Sequence, residues 1–319
     1  MRVSAVAMEL FQAWDAALAA VPCNAPWKAR RFYRGSQRCV GRGSYHARVI
    51  PPSVLPWARC DPRRLGALRG VLTDIDDTLT TEGVIPLGVV AALAALRAAG
   101  LPVVAVTGRP MGWSREIAEQ VPLAAIVAEN GAVALFADAA EARGVRVEYA
   151  ESEAVREANT ARLRAAAERI VSAVPGATLA RDSAGRVTDI AIDHGEFAHL
   201  DAARIERVVA LMREAGMNAT VSSIHINGWY GEHSKLTGAA WLVRRLYQRD
   251  LLAERDAWLY VGDSSNDELM FANFSLSVGV ANLADFADRL KRWPAFITEH
   301  DRGRGFVEVA ESLLAARDE

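Results

Sequence analysis

Gly70-Val71-Leu72-Thr73-Asp74-Ile75-Asp76-Asp77-Thr78-Leu79-Thr80 sets a short apolar run directly against three carboxylates within four residues. The run is entered from a glycine and left through polar residues, which reads as a buried strand ending at Asp74. Beyond a strand end the backbone turns, so Asp74 and Asp76 can face one crevice. Carboxylates this close repel one another unless a cation or a proton is shared among them. Hard oxygen ligands of this kind suit Mg2+. An acidic N-cap ahead of a helix is the structural alternative for the same residues.

Outward from this stretch, strands and helices alternate. Pro86 opens a helix that Gly100 closes. Leu101–Val106 is a second buried strand, ending at Thr107-Gly108-Arg109-Pro110. A helix over about 113–120 leads to the strand Ala125–Ala128 and then Glu129-Asn130-Gly131. This order implies right-handed crossovers and a parallel sheet with helices on both faces. The pattern resumes with a helix from about Leu236, then a strand over 258–261 ending in Gly262-Asp263-Ser-Ser-Asn266-Asp267. A last helix covers about 305–316. Between about Gly144 and Glu232 the grammar changes to hairpin signals and two long helices, with Thr220–Asn227 alternating in period two. The fold class is therefore α/β, a doubly wound, Rossmann-like core with an inserted α+β cap. The expected division is 69–143 and 234–319 for the core, 144–233 for the cap and 1–68 for an Arg-rich extension.

Ligands of open parallel sheets bind outside the carboxyl ends of the strands. One crevice would collect Asp74, Asp76, Thr107, Asp263 and Asp267, with Lys235 from a helix start. Each has a use in phosphoryl transfer. A carboxylate can attack phosphorus and split a hard hydrolysis into two steps. A second acid can protonate the leaving alkoxide and later deprotonate water. A hydroxyl and an ammonium bind the phosphoryl oxygens, where transition-state charge spreads.

Asp-Ile-Asp-Asp-Thr-Leu, Thr-Gly-Arg-Pro, a Lys well downstream and Gly-Asp-Ser-Ser-Asn-Asp resemble the four motifs of the haloacid dehalogenase superfamily in its phosphatase form. The resemblance spans roughly residues 70–319. It implies Asp74 as nucleophile, Asp76 as general acid/base, and Thr107-Gly108, Lys235 and Asn266 around the phosphoryl group. It implies Mg2+ held by Asp74, Asp263 and the backbone carbonyl of Asp76, with Asp267 either a further ligand or the orienting partner of Lys235. The acid at position 76 argues against dehalogenation, since a halide leaving group needs no proton. The insertion, its position and its length of about 90 residues are similar to the Cof-like branch, subfamily IIB. That branch includes phosphatases of sucrose, trehalose and mannosyl-glycerate phosphates, and phosphomannomutases. Asn130-Gly131-Ala132 and Gly303-Arg-Gly-Phe306 resemble further signatures of the branch. Lys235-Leu-Thr-Gly238 departs from it, because many members place Gly directly after the Lys.

In the cap, His225, Asn227, Trp229, Tyr230 and His233 crowd the return to the core, and Asp193, His194 and Glu196 follow another cap strand. Polar groups beside aromatics suit a sugar, whose ring stacks while its hydroxyls hydrogen-bond. Arg109, Asn130, His194, His225 and Asn227 are the expected substrate contacts. Arg109 either clamps a substrate anion or pairs with the acidic loop.

Composition bounds the rest. With 51% hydrophobic and 24% charged residues among 319, the chain reads as a soluble globular protein. No run of about 18 apolar residues is present, so no membrane-spanning helix is expected. The net charge of −2 hides an asymmetry: residues 1–69 hold twelve Lys/Arg against three acids, +9 there and −11 beyond. That segment reads as poorly ordered or loosely docked after an amphipathic helix over 4–21. Cys23, Cys39 and Cys60 all fall within it at spacings matching no zinc or redox motif, so a reducing, cytoplasmic setting is expected. The function expected is Mg2+-dependent phosphomonoester hydrolysis through an aspartyl-phosphate on a small phosphorylated metabolite, a sugar phosphate foremost. A phosphosugar mutase of the same branch is the alternative, and a regulatory protein binding nucleic acid through the basic arm is a third reading. Sequence assigns no oligomeric state.

Overall fold

A computed structural model describes residues 50–317. The amphipathic helix expected over 4–21, and most of the basic arm, lie outside these residues. The strands are β1 (Leu55–Pro56), β2 (Gly70–Thr73), β3 (Val103–Val106), β4 (Ala125–Ala128), β5 (Val133–Ala137), β6 (Val145–Tyr149), β7 (Thr178–Leu179), β8 (Asp189–Asp193), β9 (Asn218–Val221), β10 (His225–Trp229), β11 (Trp258–Gly262), β12 (Leu276–Gly279) and β13 (Phe296–Ile297). The α-helices are α1 (Pro62–Gly66), α2 (Leu87–Ala98), α3 (Met111–Gln120), α4 (Glu153–Ala173), α5 (Ala202–Glu214), α6 (Lys235–Tyr247), α7 (Glu268–Asn273) and α8 (Arg302–Ala315). Among the described residues no helix is long and apolar enough to cross a membrane.

The large sheet has the order β1-β13-β12-β11-β2-β3-β4-β5-β6. From β1 to β4 every pairing is parallel, while β5 and β6 add antiparallel strands at one edge. The central strands are buried on both faces because their side chains alternate between two helical layers. Val71, Val103 and Val261 pack with Leu93 and Leu96 of α2 and Phe306 and Val309 of α8. Leu72, Val104 and Tyr260 pack on the other side with Leu242 and Val243 of α6 and Met270 of α7. This is the continuous apolar reading that strands covered twice require. Gly70 is needed at the entry of β2, since a Cβ there would come within 2.3 Å of the Trp258 ring.

The chain leaves β2 toward β3 and β4, and later returns to β11 on the other side of β2. Strand order thus reverses at β2, where such sheets open a ligand crevice.

Three differences from the sequence reading have local causes. Residues 50–68 are packed, not loose: β1 pairs with β13, and Trp57 is 2% exposed with its ring edge-on to Phe296. The Trp57 indole donates to Ser312 Oγ at 3.0 Å, and Leu65 and Leu68 join the same core. Val145–Tyr149, read as the first cap strand, pairs instead with β5, a strand not anticipated between Gly131 and Gly144. Thr220–Asn227 is not one strand but the turn of a hairpin, because Ser222 Oγ accepts the amides of Ile224 and His225.

A second sheet, β7-β8-β10-β9, is antiparallel throughout. Ile190, Ile192 and Ile226 turn inward onto Leu163 and Ile170 of α4 and Val208 and Met212 of α5. The opposite face carries Asp189, Asp193, His225, Asn227 and Trp229 by the period-2 alternation of strands.

Candidate active site

Three strand ends and one helix start bring the acidic and basic groups together. Asp74 follows β2, Asp263 follows β11, and Lys235 opens α6 behind Ser234, whose hydroxyl caps Thr237 N in a reciprocal capping box. Lys235 Nζ lies 3.2 Å from Asp74 Oδ1 and 2.7 Å from Asp267 Oδ1. The register of α6 follows from close packing. A Cβ on Gly238 would fall 2.4 Å from Gly131 Cα, so the glycine three residues after Lys235 lets α6 rest on the Asn130-Gly131 loop.

Asp74, Asp263 and Asp267 each offer a carboxylate oxygen within 4.8 Å of the others, all in buried positions. Burial, with repulsion from Asp267 and Asp76 and a partial offset by Lys235, pushes the Asp74 carboxyl up to about 7. Burial and the charges of Asp267 and Asp74 raise Asp263 well above the carboxylate range. Burial alone would depress Lys235, but Asp267 and Asp74 outweigh it and hold the ammonium above its ordinary value. Buried carboxylates in excess over one ammonium form a site that a divalent cation would relieve, and their hard oxygens fit Mg2+.

Asp267 is already spoken for. Its Oδ1 accepts from Lys235 and from the Tyr260 hydroxyl, and its Oδ2 accepts the amides of Asp263 and Ser264 at 2.9 and 3.2 Å. That favours the orienting role over the ligand role, leaving Asp74 and Asp263 as the carboxylates open to a cation. Asn282 braces the other side. Its carboxamide donates to the Asp77 carbonyl at 3.0 Å and to Asp263 Oδ2 at 3.4 Å. Arg302 pairs with the Asp77 carboxylate at 2.9 Å. Asp77 therefore faces away into a structural pair.

Asp76 does not point its carboxylate into the acidic cluster. Arg109 holds it in a fork, Nε at 3.0 and 2.9 Å from its two oxygens and Nη2 at 2.9 Å. The same guanidinium reaches Asp182 at 3.2 Å and Glu196 at 3.1 Å, both on the inserted segment. Of the two roles left open for Arg109, the structure shows ion pairing with protein acids. Thr107 is fully buried at the end of β3, and its Oγ1 accepts the Arg109 amide at 3.0 Å, leaving the hydroxyl proton free to donate.

The remaining expected residues are distributed unevenly. Asn266 is 8% exposed, and its side-chain oxygen accepts from Ser264 Oγ. The Gly108 carbonyl accepts from Arg186 at 2.8 Å and Asn227 at 3.2 Å. Asn130 and Asn227 both donate to Asp189 Oδ2 at 3.1 Å. His225 bonds Glu196 at 3.1 Å, and His194 bonds the Ser222 carbonyl at 3.0 Å. Asn130, His225 and Asn227 thus tie the cap sheet to the core or to its own loop, and His194 packs inside the cap. Asp193 spends its oxygens on the amides of residues 195–198.

Two groups that the sequence did not single out organise this seam. Glu129, fully buried, accepts the amides of Met111, Val187 and Thr188 and the Thr188 hydroxyl. Arg186 pairs with Asp189 at 2.9 Å and Asp182 at 3.3 Å. Only the left-handed backbone of Glu129 and Asn130, φ 47° and 55°, hints at such a role, and that is invisible in sequence. Beside Lys235 and Asn266 a cleft of about 260 Å3 opens between core and cap, lined further by Asn218, Thr220, Trp229 and His233.

The family model of haloacid dehalogenase-like hydrolases matches residues 71–171. No curated protein matches the chain. Among solved structures, the Thermoplasma acidophilum protein 0175 aligns with a TM-score of 0.59 at 16% identity, covering 77% of this chain and 98% of that one. The sucrose-phosphatase of Synechocystis, solved with sucrose and phosphate, aligns with a TM-score of 0.54 at 15% identity over 76% and 97%. The C-terminal domain of the C. albicans trehalose-6-phosphate phosphatase gives 0.54 at 14% over 80% and 94%. These likenesses establish a shared fold across the core and the inserted segment. With the family match over residues 71–171 and the acids of β2 and β11 converging on one crevice, the chain is a haloacid dehalogenase-like hydrolase.

Proposed function

We propose that the protein hydrolyses a small phosphomonoester through an aspartyl-phosphate on Asp74, a sugar phosphate being the substrate class that fits best. The observation that carries this reading is the Asp74–Lys235–Asp267 array. A buried carboxylate sits 3.2 Å from an ammonium that a second carboxylate holds in place at 2.7 Å. Such an array presents a nucleophile together with a cation for the phosphoryl oxygens.

Asp74 attacks phosphorus while Thr107 and Lys235 bind the equatorial oxygens. Asp76 gives a proton to the leaving alkoxide and then takes one from the water that attacks the aspartyl-phosphate. Arg109 acts on this step only through Asp76, by fixing where that carboxylate sits. Mg2+, held by Asp74, Asp263 and the carbonyl of Asp76, would screen the meeting of an anionic substrate with an anionic nucleophile. Asp267 keeps Lys235 aimed and the loop after β11 in place. The sugar-phosphate preference draws on the fold shared with the sucrose-phosphatase of Synechocystis and on a polar, aromatic-bearing cleft beside Lys235.

Asp74→Asn tests the reaction. It keeps the shape and the hydrogen bonding but removes the nucleophile, so turnover of p-nitrophenyl phosphate should vanish while the thermal unfolding profile persists. Chelation should abolish turnover reversibly. Substantial hydrolysis by purified Asp74→Asn protein would reject the mechanism.

A further inference from the structure

The residues expected to read the substrate are largely occupied by the protein itself, which directs attention to polar atoms with no partner. Both ring nitrogens of His233 lack a hydrogen-bond partner although the residue is 9% exposed. Thr220 Oγ1 is likewise buried and unpartnered. Both line the 260 Å3 cleft that also touches Lys235 and Asn266. A buried polar atom left without a partner costs about 1–3 kcal/mol. Two such groups opening onto one cavity beside the phosphoryl-binding lysine are the signature of a place that a ligand completes.

The His233 ring is fixed. It stacks on Trp229, centroids 5.7 Å apart at 25°, and the Trp229 indole donates to the His233 carbonyl at 3.0 Å. Burial lowers its pKa to about 4, so the ring is neutral and offers one donor and one acceptor. A hydroxyl at Thr220 offers the same pair. Charged side chains are few in the cleft: Lys235 is already matched by Asp74 and Asp267, and Glu232 is an exposed acid at the rim. A second phosphate or a carboxylate on the leaving group would find no unmatched cation there. Vicinal hydroxyls would find paired donors and acceptors. The volume lies just below the roughly 300–1,000 Å3 of sites for drug-sized ligands, which limits the occupant to about one ring.

We infer that Thr220 and His233, backed by Trp229, form the leaving-group subsite and select an uncharged, hydroxyl-rich group of single-ring size. This rests on the phosphomonoesterase reading and specifies its substrate. His225, Asn227 and His194 then serve the architecture of the cap, and specificity is set at the seam where the chain returns to the core.

The test compares kcat/KM on glucose 6-phosphate, mannose 6-phosphate and fructose 1,6-bisphosphate with that on p-nitrophenyl phosphate, for wild type, Thr220→Val and His233→Phe. Wild type should favour a hexose monophosphate over the bisphosphate. Each variant should lose roughly three- to tenfold in its ratio of hexose monophosphate to p-nitrophenyl phosphate, carried by KM, because one neutral hydrogen bond is lost. Thermal unfolding of Thr220→Val should match or exceed wild type, since the change removes an unpartnered hydroxyl. Calorimetric binding of the hexose 6-phosphates to Asp74→Asn protein, with and without each substitution, repeats the comparison without turnover. Unchanged ratios, a parallel fall on all substrates, binding undiminished by both substitutions, or no binding and no turnover of either hexose monophosphate would each overturn the subsite. Failure of wild type to hydrolyse p-nitrophenyl phosphate would instead reject the reaction, while the binding comparison still decides the subsite.

Discussion

Replacing Arg109 by Ala should be among the most damaging single changes outside the nucleophile. Its guanidinium meets three carboxylates: Asp76 by the fork at 2.9–3.0 Å, Asp182 at 3.2 Å and Glu196 at 3.1 Å. The side chain is 7% exposed, and its three partners are 13%, 17% and 25% exposed, so none of the four is well screened by water. Truncation leaves three acids facing one another across the seam between core and inserted segment. Removing one partner of a buried ion pair costs about 3–5 kcal/mol, because the other charge is left without compensation. At ~2–4 °C per kcal/mol for a domain of about 150–250 residues, the unfolding temperature should fall by roughly 10 °C. Circular dichroism melts at pH 7 measure it directly. Arg109→Lys should recover only part of the loss, since an ammonium cannot fork onto Asp76 while bridging to the cap acids. In a double-mutant cycle with Asp76→Ala, the two losses should be less than additive, with coupling of about 0.5–3 kcal/mol. A fall of less than ~3 °C in Arg109→Ala, or full additivity in the cycle, would refute the argument that this guanidinium holds the seam.

Glu196 supplies a pH test. The His225 hydrogen bond and the Arg109 charge overcome its burial and hold its carboxyl down to about 2, against an ordinary 4.5. A depressed folded-state pKa contributes stability above the unfolded value and loses it as pH falls toward the folded one. The gap in unfolding temperature between wild type and Glu196→Gln should therefore be constant above about pH 5 and shrink between 4.5 and 2; a gap unchanged down to pH 3 counts against the pairing. Mg2+ at a hundredfold over its Kd should stabilise the protein by about 2.7 kcal/mol, read as a rise in unfolding temperature. Asp263→Asn should abolish that rise, and its chelated form should be no less stable than chelated wild type, because the change relieves repulsion from Asp267 and Asp74. An undiminished rise in Asp263→Asn would remove Asp263 from the metal site.

The parts of this molecule that were legible in sequence share a physical property. At the end of β2 a doubly buried strand must be apolar, so the first carboxylate after it marks both the strand end and the crevice. The same reasoning locates Thr107 after β3 and Asp263 after β11. Lys235 is legible for a different reason, since Ser234 and Thr237 announce a helix start on which a lysine can be aimed. What failed were assignments in which two structures satisfy one pattern. Val145–Tyr149 alternates as any edge strand does, and nothing in its five residues says which sheet's edge it completes. Trp57, Leu65 and Leu68 sit among arginines whose charge suggested a loose arm, yet the aliphatic and indole surfaces alone decide the docking.

The cap exposes the deeper reason why specificity resists sequence reading. Period-2 alternation identifies which face of β8 and β10 looks toward the core, and Asp189, His225 and Asn227 lie on that face. It cannot say which of those polar groups the protein consumes in holding itself closed. Asn227 and Asn130 converge on Asp189, His225 on Glu196, and Asp76 on Arg109, each pairing joining residues at least 29 apart in the chain. A side chain is available to a ligand only after every such internal partner has been counted, and that accounting exists only in three dimensions. It removes the polar residues that composition makes most conspicuous and leaves Thr220 and His233, which in sequence are an unremarked hydroxyl and the last member of an aromatic cluster. If the selectivity ratio moves with those two side chains, substrate choice in this chain lies in the polar atoms that closure leaves unpaired.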